Sequence, residues 1–233
     1  MPVILNESIK HLNQLYIIGG DGTHRAALAL HEALLKNNIK CIIACVPKTI
    51  DNDIGVIDRS FGFNTAVKHA VEAIEAAKVE ASCIPNGIGI VQLMGRYSGF
   101  ISAHATLAAK IVDICLIPEI QFNLKEMMQF IKQILNMKGY CVIVVAEGAG
   151  QHILSTLGNT IKDESGNIKS TIGIGLYLKD FISKKLKTKN IKYIDPSYMI
   201  RSIPAASDDN VYCLSLAQNT VHGAMTGFTA FTT

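Results

Sequence analysis

The stretch CIIACVPKTIDND, residues 41 to 53, opens with six apolar residues and closes on Lys48, Thr49, Asp51, Asn52 and Asp53. Six apolar side chains in a row suit a buried strand, so the polar cluster falls at that strand's mouth. Two aspartates two residues apart at the end of a buried strand would have to be held near one another. One can then serve as a general base while its neighbour, or a metal, takes part of the charge. Lys48 beside them favours the ionised forms and can meet a phosphate. The plain alternative is an Asx turn, for which Asn52 and Asp53 are suited, but turn chemistry explains neither Lys48 nor Thr49.

GGDGTHRAA, residues 19 to 27, joins a strand to a helix. Gly19, Gly20 and Gly22 let backbone approach a ligand closely, and the helix that follows offers free amides and the positive end of its dipole, which suits phosphate. Asp21 makes a poor phosphate contact but a good magnesium ligand, directly or through water. The competing reading is a glycine-rich turn with Asp or Thr as the helix N-cap.

Three further segments carry single groups. MGRYSG places Arg96 after a strand and before a helix that Ser98 could cap, where a guanidinium can stabilise charge on a transferring phosphoryl group; the alternative is a surface ion pair. EGAG supplies Glu147, an acceptor for sugar hydroxyls. DPSYMIR sets Tyr198 and Arg201 three residues apart, able to grip a second phosphate. The histidines show no H-x-x-x-H spacing and there is no G-x-S-x-G, which removes zinc and serine-hydrolase chemistry. A magnesium ligand, a base, an arginine for a moving phosphoryl group and a clamp for a phosphosugar describe a small-molecule kinase.

The elements that must position these groups alternate strand and helix. QLYIIGG reads as a buried strand. THRAALALHEALLKNN is an amphipathic helix with Ala26, Ala29, Leu30, Ala33 and Leu34 on one face, and CIIACV is the next strand. NTAVKHAVEAIEAAKVEA (helix), GIGIVQL (strand), SGFISAHATLAAK (helix), DICLIPE (strand), NLKEMMQFIKQILNMKG (helix) and YCVIVVAEGAG (strand) follow. A loop is expected from Gln151 to Lys169, then a helix over 172 to 187, a short strand near 192 to 194 and a helix from Ser207 into the 220s. Near-continuous apolar strands alternating with helices predict an α/β protein, its parallel sheet covered on both faces. Ligands in such sheets bind outside the C-terminal strand ends, and that is where GGDGT, PKTIDND, MGRYSG, PE and EGAG all fall.

Composition agrees with a globular protein: 233 residues, 49% hydrophobic, 18% charged, no Trp. The net charge of +3 gives no basic stripe for nucleic acid; the excess sits in KDFISKKLKTKNIK, read as a solvated helix face. Six scattered cysteines, without a C-x-x-C pair, read as buried free thiols in a reducing compartment. The start, MPVILNESIKHLNQ, is no signal peptide, and no apolar run approaches the ~20 residues that span a bilayer, so the expectation is a soluble, cytoplasmic protein.

GGDGT, PKTIDND, FGFNTAV, MGRYSGF, the PE after DICLI, AEGAGQ and YIDPSYMIR, in this order and at these intervals, resemble the 6-phosphofructokinase family. The likeness is to its ATP-dependent branch in plants and trypanosomatids, which groups with the pyrophosphate-dependent enzymes, and it runs from Leu15 to about Phe228. PKTIDND with MGR is highly specific, whereas GGDGT is shared with NAD kinases and lipid kinases. The resemblance implies a three-layer αβα fold of two Rossmann-like subdomains with the active site between them. Residues 1–59 would be the nucleotide-binding part, 60–194 the sugar-phosphate part and 195–233 a segment returning to the first.

It also implies roles. Asp51 would take the proton from the 1-hydroxyl of fructose 6-phosphate, with Asp53 supporting it and Arg96 stabilising the transition state. Gly20, Asp21, Gly22, Thr23 and Lys48 would line the nucleotide phosphates, Asp21 holding Mg2+. Thr49, Ile50, Met94, Gly95, Arg96 and Glu147 would contact the sugar phosphate, and Tyr198, Met199, Ile200 and Arg201 its 6-phosphate side. By the family's pattern, Asp at position 22 goes with pyrophosphate and Gly leaves room for ATP, while Lys48 is typical of pyrophosphate users. The plant-like branch combines Gly22 with Lys48, which favours ATP. A homo-oligomer is implied in the same way.

The family normally carries a further strand and glycine-rich phosphate loop upstream of GGDGT, and continues beyond FTAFTT. Shorter at both ends, the chain is expected to expose an unpaired sheet edge and an uncovered apolar face. Three readings stand: a working phosphofructokinase completed from elsewhere, an inactive kinase-like subunit or regulator, and another GGDGT kinase. The last has no reason to carry PKTIDND and MGRYSG.

Overall fold

The computed structural model describes residues 11–157, 160–162, 168–170 and 173–233. Residues 1–10, read above for targeting signals, and Ile172, expected near a helix start, lie outside them. The chain divides into two compact units. Unit 1 comprises residues 1–64 and 205–233, and unit 2 residues 65–204. The boundaries therefore fall at 64/65 and 204/205, against 59/60 and 194/195 read from the sequence.

Unit 1 holds strands β1 (Gln14–Gly19) and β2 (Ile42–Pro47) with helix α1 (Asp21–Lys36) between them. The strands run parallel, Gln14 facing Ile42 and Gly19 facing Pro47. One sheet face packs Leu15, Ile17, Ile43 and Cys45 against Ala27, Leu30 and Leu34 of α1. The helix thus presents the 27, 30 and 34 stripe, and Ala26 and Ala29, expected on the buried face, are exposed. The expected pattern chose the alanines that continue a regular repeat; the larger Leu30 and Leu34 set the rotation because they have more area to bury.

Only half of β1 is buried, which corrects its reading as a fully buried strand. Tyr16 is 38% and Ile18 62% exposed, on the face opposite Leu15 and Ile17. The reason is positional. Helix α8 (Ser207–Met225) covers that face over β2, and β1 is the outer strand of the order β1-β2-β9, where β9 (Phe231–Thr232) is a short third strand that the sequence pattern did not show.

Unit 2 holds most of helix α2 (Phe63–Ser82), then β3 (Gly87–Leu93), α3 (Phe100–Ala109), β4 (Ile114–Leu116), α4 (Leu124–Lys138) and β5 (Tyr140–Ala146). After these come α5 (Gln151–Leu154), a 3-10 turn, the antiparallel pair β6 (Thr160–Lys162) and β7 (Ile168–Ser170), α6 (Ile174–Leu186), β8 (Ile191–Ile194) and α7 (Ser197–Arg201). The loop expected from Gln151 to Lys169 thus contains two helical turns and a strand pair. The main sheet is parallel in the order β4-β5-β3-β8. Its central strands are buried on both faces: Ile88, Ile90, Ile143 and Val145 pack on one face with Ile131 and Leu135 of α4 and Leu178 and Ile182 of α6, and Val91, Leu93, Val142 and Val144 are buried on the other. Ile174, Leu178 and Ile182 of α6 face this core, and Lys184 and Lys185 in its last turn are exposed.

Candidate active site

Unit 1 sets its two polar turns side by side. The Lys48 amide donates to Gly19 O at 2.8 Å, so the ends of β1 and β2 remain in register as they turn. Gly20 opens α1, and a Cβ there would lie 3.5 Å from Lys48 O and 3.8 Å from Thr49 Cβ. The amide-rich helix start and the aspartate-bearing turn therefore share one edge, with a 16-residue helix dipole behind the former.

No side chain caps α1, so neither Asp21 nor Thr23 takes the capping role. Thr23 folds back over Gly19, while Asp21 pairs with Arg25 at 2.9 Å on the helix surface. Among the described residues no three His, Cys, Asp or Glu side chains cluster around a common point. An ion at Asp21 would therefore have one protein carboxylate, with phosphate oxygens and water to complete its shell, rather than an all-protein cage.

The PKTIDND turn is fixed from within. The Asp51 amide donates to Thr49 Oγ1 at 3.2 Å. Asn52 adopts φ +53, a left-handed conformation that asparagine tolerates. Its Oδ1 accepts from the Ser60 amide at 2.7 Å and lies 3.1 Å from Ser60 Oγ, and its Nδ2 donates to Asp58 O at 3.1 Å. Ser60 is fully buried, and its hydroxyl donates to Thr49 O at 2.6 Å. These bonds are not the Asx turn read as an alternative to function: Asn52 bonds Asp58 and Ser60, six and eight residues on, and the local side-chain turn is made by Thr49, whose Oγ1 accepts from the Asp51 amide. Asp51, Thr49 and Ile50 are half-buried, whereas Asp53 and Lys48 are exposed. Ser60 escaped the sequence reading because a lone serine in DRSFGF carries no pattern.

Unit 2 gathers the remaining groups at the C-terminal ends of neighbouring strands. Glu147 N donates to Leu93 O at 2.9 Å and Gly148 N to Gly95 O at 3.1 Å. A Cβ on Gly148 would lie 1.8 Å from Arg96 O, and Gly95 has φ +124 with Ser98 O in the way of any Cβ. The EGAG turn can seat directly on MGR only because both positions are glycine. This places half-buried Glu147 beside Met94, Gly95 and the exposed Arg96.

Ser98, expected to cap α3, is buried without that role. The N-cap is Gly99, whose amide donates to Glu119 Oε1 at 2.8 Å, so the glutamate of the PE motif anchors the start of α3.

Helix α7 follows β8, which pairs with β3 from Ile88–Ile191 to Val91–Ile194. The Arg201 guanidinium lies 4.6 Å from the centre of the Tyr198 ring, so the cation and the phenol are presented together. Tyr198, Met199 and Arg201 are exposed; Ile200 is 1% exposed and anchors the helix. Unit 1 thus places Gly20, Asp21, Gly22, Lys48 and Asp51 at the C-terminal edge of its sheet, and unit 2 places Met94, Arg96, Glu147, Tyr198 and Arg201 at the C-terminal edge of its own.

Residues 3–224 match the family model "Phosphofructokinase". The chain is 53% identical over 231 residues to ATP-dependent 6-phosphofructokinase 1 of Arabidopsis thaliana, covering 95% of this chain and 48% of the relative. It is 44% identical over 243 residues to the ATP-dependent 6-phosphofructokinase of Borreliella burgdorferi, covering 98% and 54%. It spans about half the length of these relatives. The fold is similar to that of a pyrophosphate-dependent phosphofructokinase from Nitrosospira multiformis, with TM-score 0.76 and 23% identity over 93% of this chain and 53% of that one.

Proposed function

The chain belongs to the phosphofructokinase family, and on that premise we propose that it transfers the γ-phosphoryl group of ATP to the 1-hydroxyl of fructose 6-phosphate. One observation carries this reading. The glycine-rich start of α1 and the turn bearing Asp51 share the same edge of one sheet, which puts a phosphate cradle and a fixed carboxylate together.

Asp51, held by the Thr49, Asn52 and Ser60 bonds, takes the 1-hydroxyl proton as that oxygen attacks phosphorus, and Asp53 supports it. The α1 amides at Gly20, Gly22 and Thr23, with Lys48, hold the donor phosphates. Arg96 meets the charge that develops on the equatorial oxygens, Glu147 and Met94 position the sugar, and Tyr198 and Arg201 hold the 6-phosphate. Magnesium, when bound at Asp21, supplies charge neutralisation on the donor.

Gly22 supports ATP as donor. A Cβ there would meet nothing within 4 Å and its φ is not positive, so the backbone places no demand for glycine. What an aspartate would take at this position is space, in keeping with the family pattern in which Gly22 leaves room for the nucleotide. The relatives at 44 to 53% identity bear ATP-dependent names. Lys48 favours pyrophosphate as the second reading.

We also assign the protein to the cytoplasm, supported by six free thiols, and to a homo-oligomer on family likeness. Among the described residues no helix is long and apolar enough to cross a membrane.

The test is a magnesium-dependent assay of the chain with fructose 6-phosphate, run with ATP and with pyrophosphate in parallel. ATP-dependent turnover is expected, and Gly22→Asp should weaken it. Turnover with pyrophosphate alone overturns the donor assignment. No turnover with either, from folded protein, overturns the activity and leaves the inactive kinase-like subunit.

A further inference from the structure

Within unit 2, one side chain ties three elements together. Gln92, at the end of β3 and two residues before Met94, accepts from the Gly175 amide at the start of α6 through Oε1 at 2.9 Å. Its Nε2 donates to Asp195 Oδ2 at 3.3 Å. Asp195 directly precedes α7: its Oδ1 accepts from the Ser197 amide at 3.2 Å, and its Oδ2 also accepts from the Tyr193 hydroxyl at 3.4 Å. The strand that leads into Met94 and Arg96 is thereby linked to the helix that carries Tyr198 and Arg201.

The polarity of this link is fixed. Gln92 can meet both neighbours only as an amide, with its oxygen toward a backbone N–H and its NH2 toward a carboxylate. Asp195 in turn accepts from the Ser197 amide at the start of a five-residue helix too short to hold itself. Burial, and then the charge of Asp195, push the Tyr193 hydroxyl well above the usual phenol range, which keeps it protonated and donating.

We propose that Gln92 and Asp195 are positioning residues for the phosphate clamp: the Gln92–Asp195 bond sets α7, and through it Tyr198 and Arg201, at a fixed place beside the end of β3. Neither residue touches the substrate. This rests on the reading of Tyr198 and Arg201 as a sugar-phosphate clamp, and the experiment separates the two.

The experiment exchanges donor and acceptor. Gln92→Glu keeps an oxygen for the Gly175 amide but turns a second oxygen toward Asp195, replacing attraction by repulsion. Adding Asp195→Asn restores a donor–acceptor pair of reversed polarity and retains the oxygen that holds the Ser197 amide. Both are read near pH 8. The first readout, free of any ligand, is amide exchange at Ile200 and Ser202, which donate to Pro196 O and Tyr198 O inside α7. The second is the affinity for fructose 6-phosphate.

Gln92→Glu alone is expected to speed exchange in α7 and weaken fructose 6-phosphate binding, each by about fivefold, the scale of one net hydrogen bond. The double variant is expected to recover most of both. Restoration by a second substitution is something that general loss of folding would not give. Unchanged α7 exchange in Gln92→Glu overturns the link. Exchange that follows the swap while affinity does not overturns its role in the clamp. If exchange follows the swap but the parent chain fails to bind fructose 6-phosphate, the function proposed above fails, and the setting of α7 by Gln92 and Asp195 stands.

Discussion

In unit 2, β3 and β5 are buried on both faces; in unit 1, β1 is buried on one and shows Tyr16 and Ile18 on the other. Both units follow the same strand–helix grammar, and both carry glycine-built turns at their C-terminal strand ends. The difference lies in what surrounds the strands. β3 and β5 are flanked by strands and have helices packed on both sheet faces, whereas β1 is an outer strand with α8 displaced over its neighbour. A run of apolar residues therefore implies a strand, but only its neighbours decide how much of it is buried.

Substitutions at matched positions turn this into measurable differences. The largest is expected from Ile143→Ala in β5. Its side chain is fully buried in the unit 2 core, and truncation should destabilise that unit by about 4 kcal/mol in denaturant unfolding. A cost under about 1 kcal/mol would mean that the core is not packed around β5.

The next is a pH effect on unit 2. Burial, and secondarily Asp113, raise the Cys141 thiol from 9.0 to about 12, with Lys138 opposing. The folded state then retains a proton that the unfolded state loses, so stability is unaffected below pH 9. It should fall by about 1.4 kcal/mol per pH unit between roughly pH 9 and pH 12. Cys141→Ala should remove that slope, and an unchanged alkaline slope would assign it to other groups.

In unit 1, Ser60→Ala deletes a buried hydroxyl that serves Thr49 O and lies against Asn52 Oδ1, with an expected cost of about 2 kcal/mol. Amide exchange at Asp51 and Ser60 should rise with it, and exchange like that of the parent would show the turn to be held by other bonds. The smallest effect is expected from Ile18→Thr, which should change stability by less than about 0.5 kcal/mol because the side chain already faces outward. A loss of several kcal/mol would mean that this face is covered in solution, and the contrast between the units would then close.

Much of this was legible in the residues, for identifiable reasons. Strong periodicity placed β2, β3, β5, α2 and α4, and clustering of polar and glycine residues after the strands marked the strand ends that carry the candidate residues in each unit. The structural work of particular polar residues was hidden. Asn52 locks a turn and Glu119 anchors α3, although both stand in motifs that suggest chemistry; Ser60 and Gln92 bond to residues 8 to 103 positions away. Such contacts are set by chain crossings that no local window contains. The exposure of Tyr16 and Ile18 was hidden for the same reason, since it depends on α8 packing over β2, far along the chain.

The most direct test of the proposed chemistry compares the parent chain with Asp51→Ala, measuring turnover of ATP and fructose 6-phosphate together with the dissociation constant of fructose 6-phosphate. If Asp51 is the general base, turnover should fall by about 100-fold or more while sugar-phosphate affinity stays within about twofold. Turnover at the parent rate in Asp51→Ala would contradict the account at its centre, because the turn that Thr49, Asn52 and Ser60 hold in place would then be presenting a carboxylate that the reaction does not use.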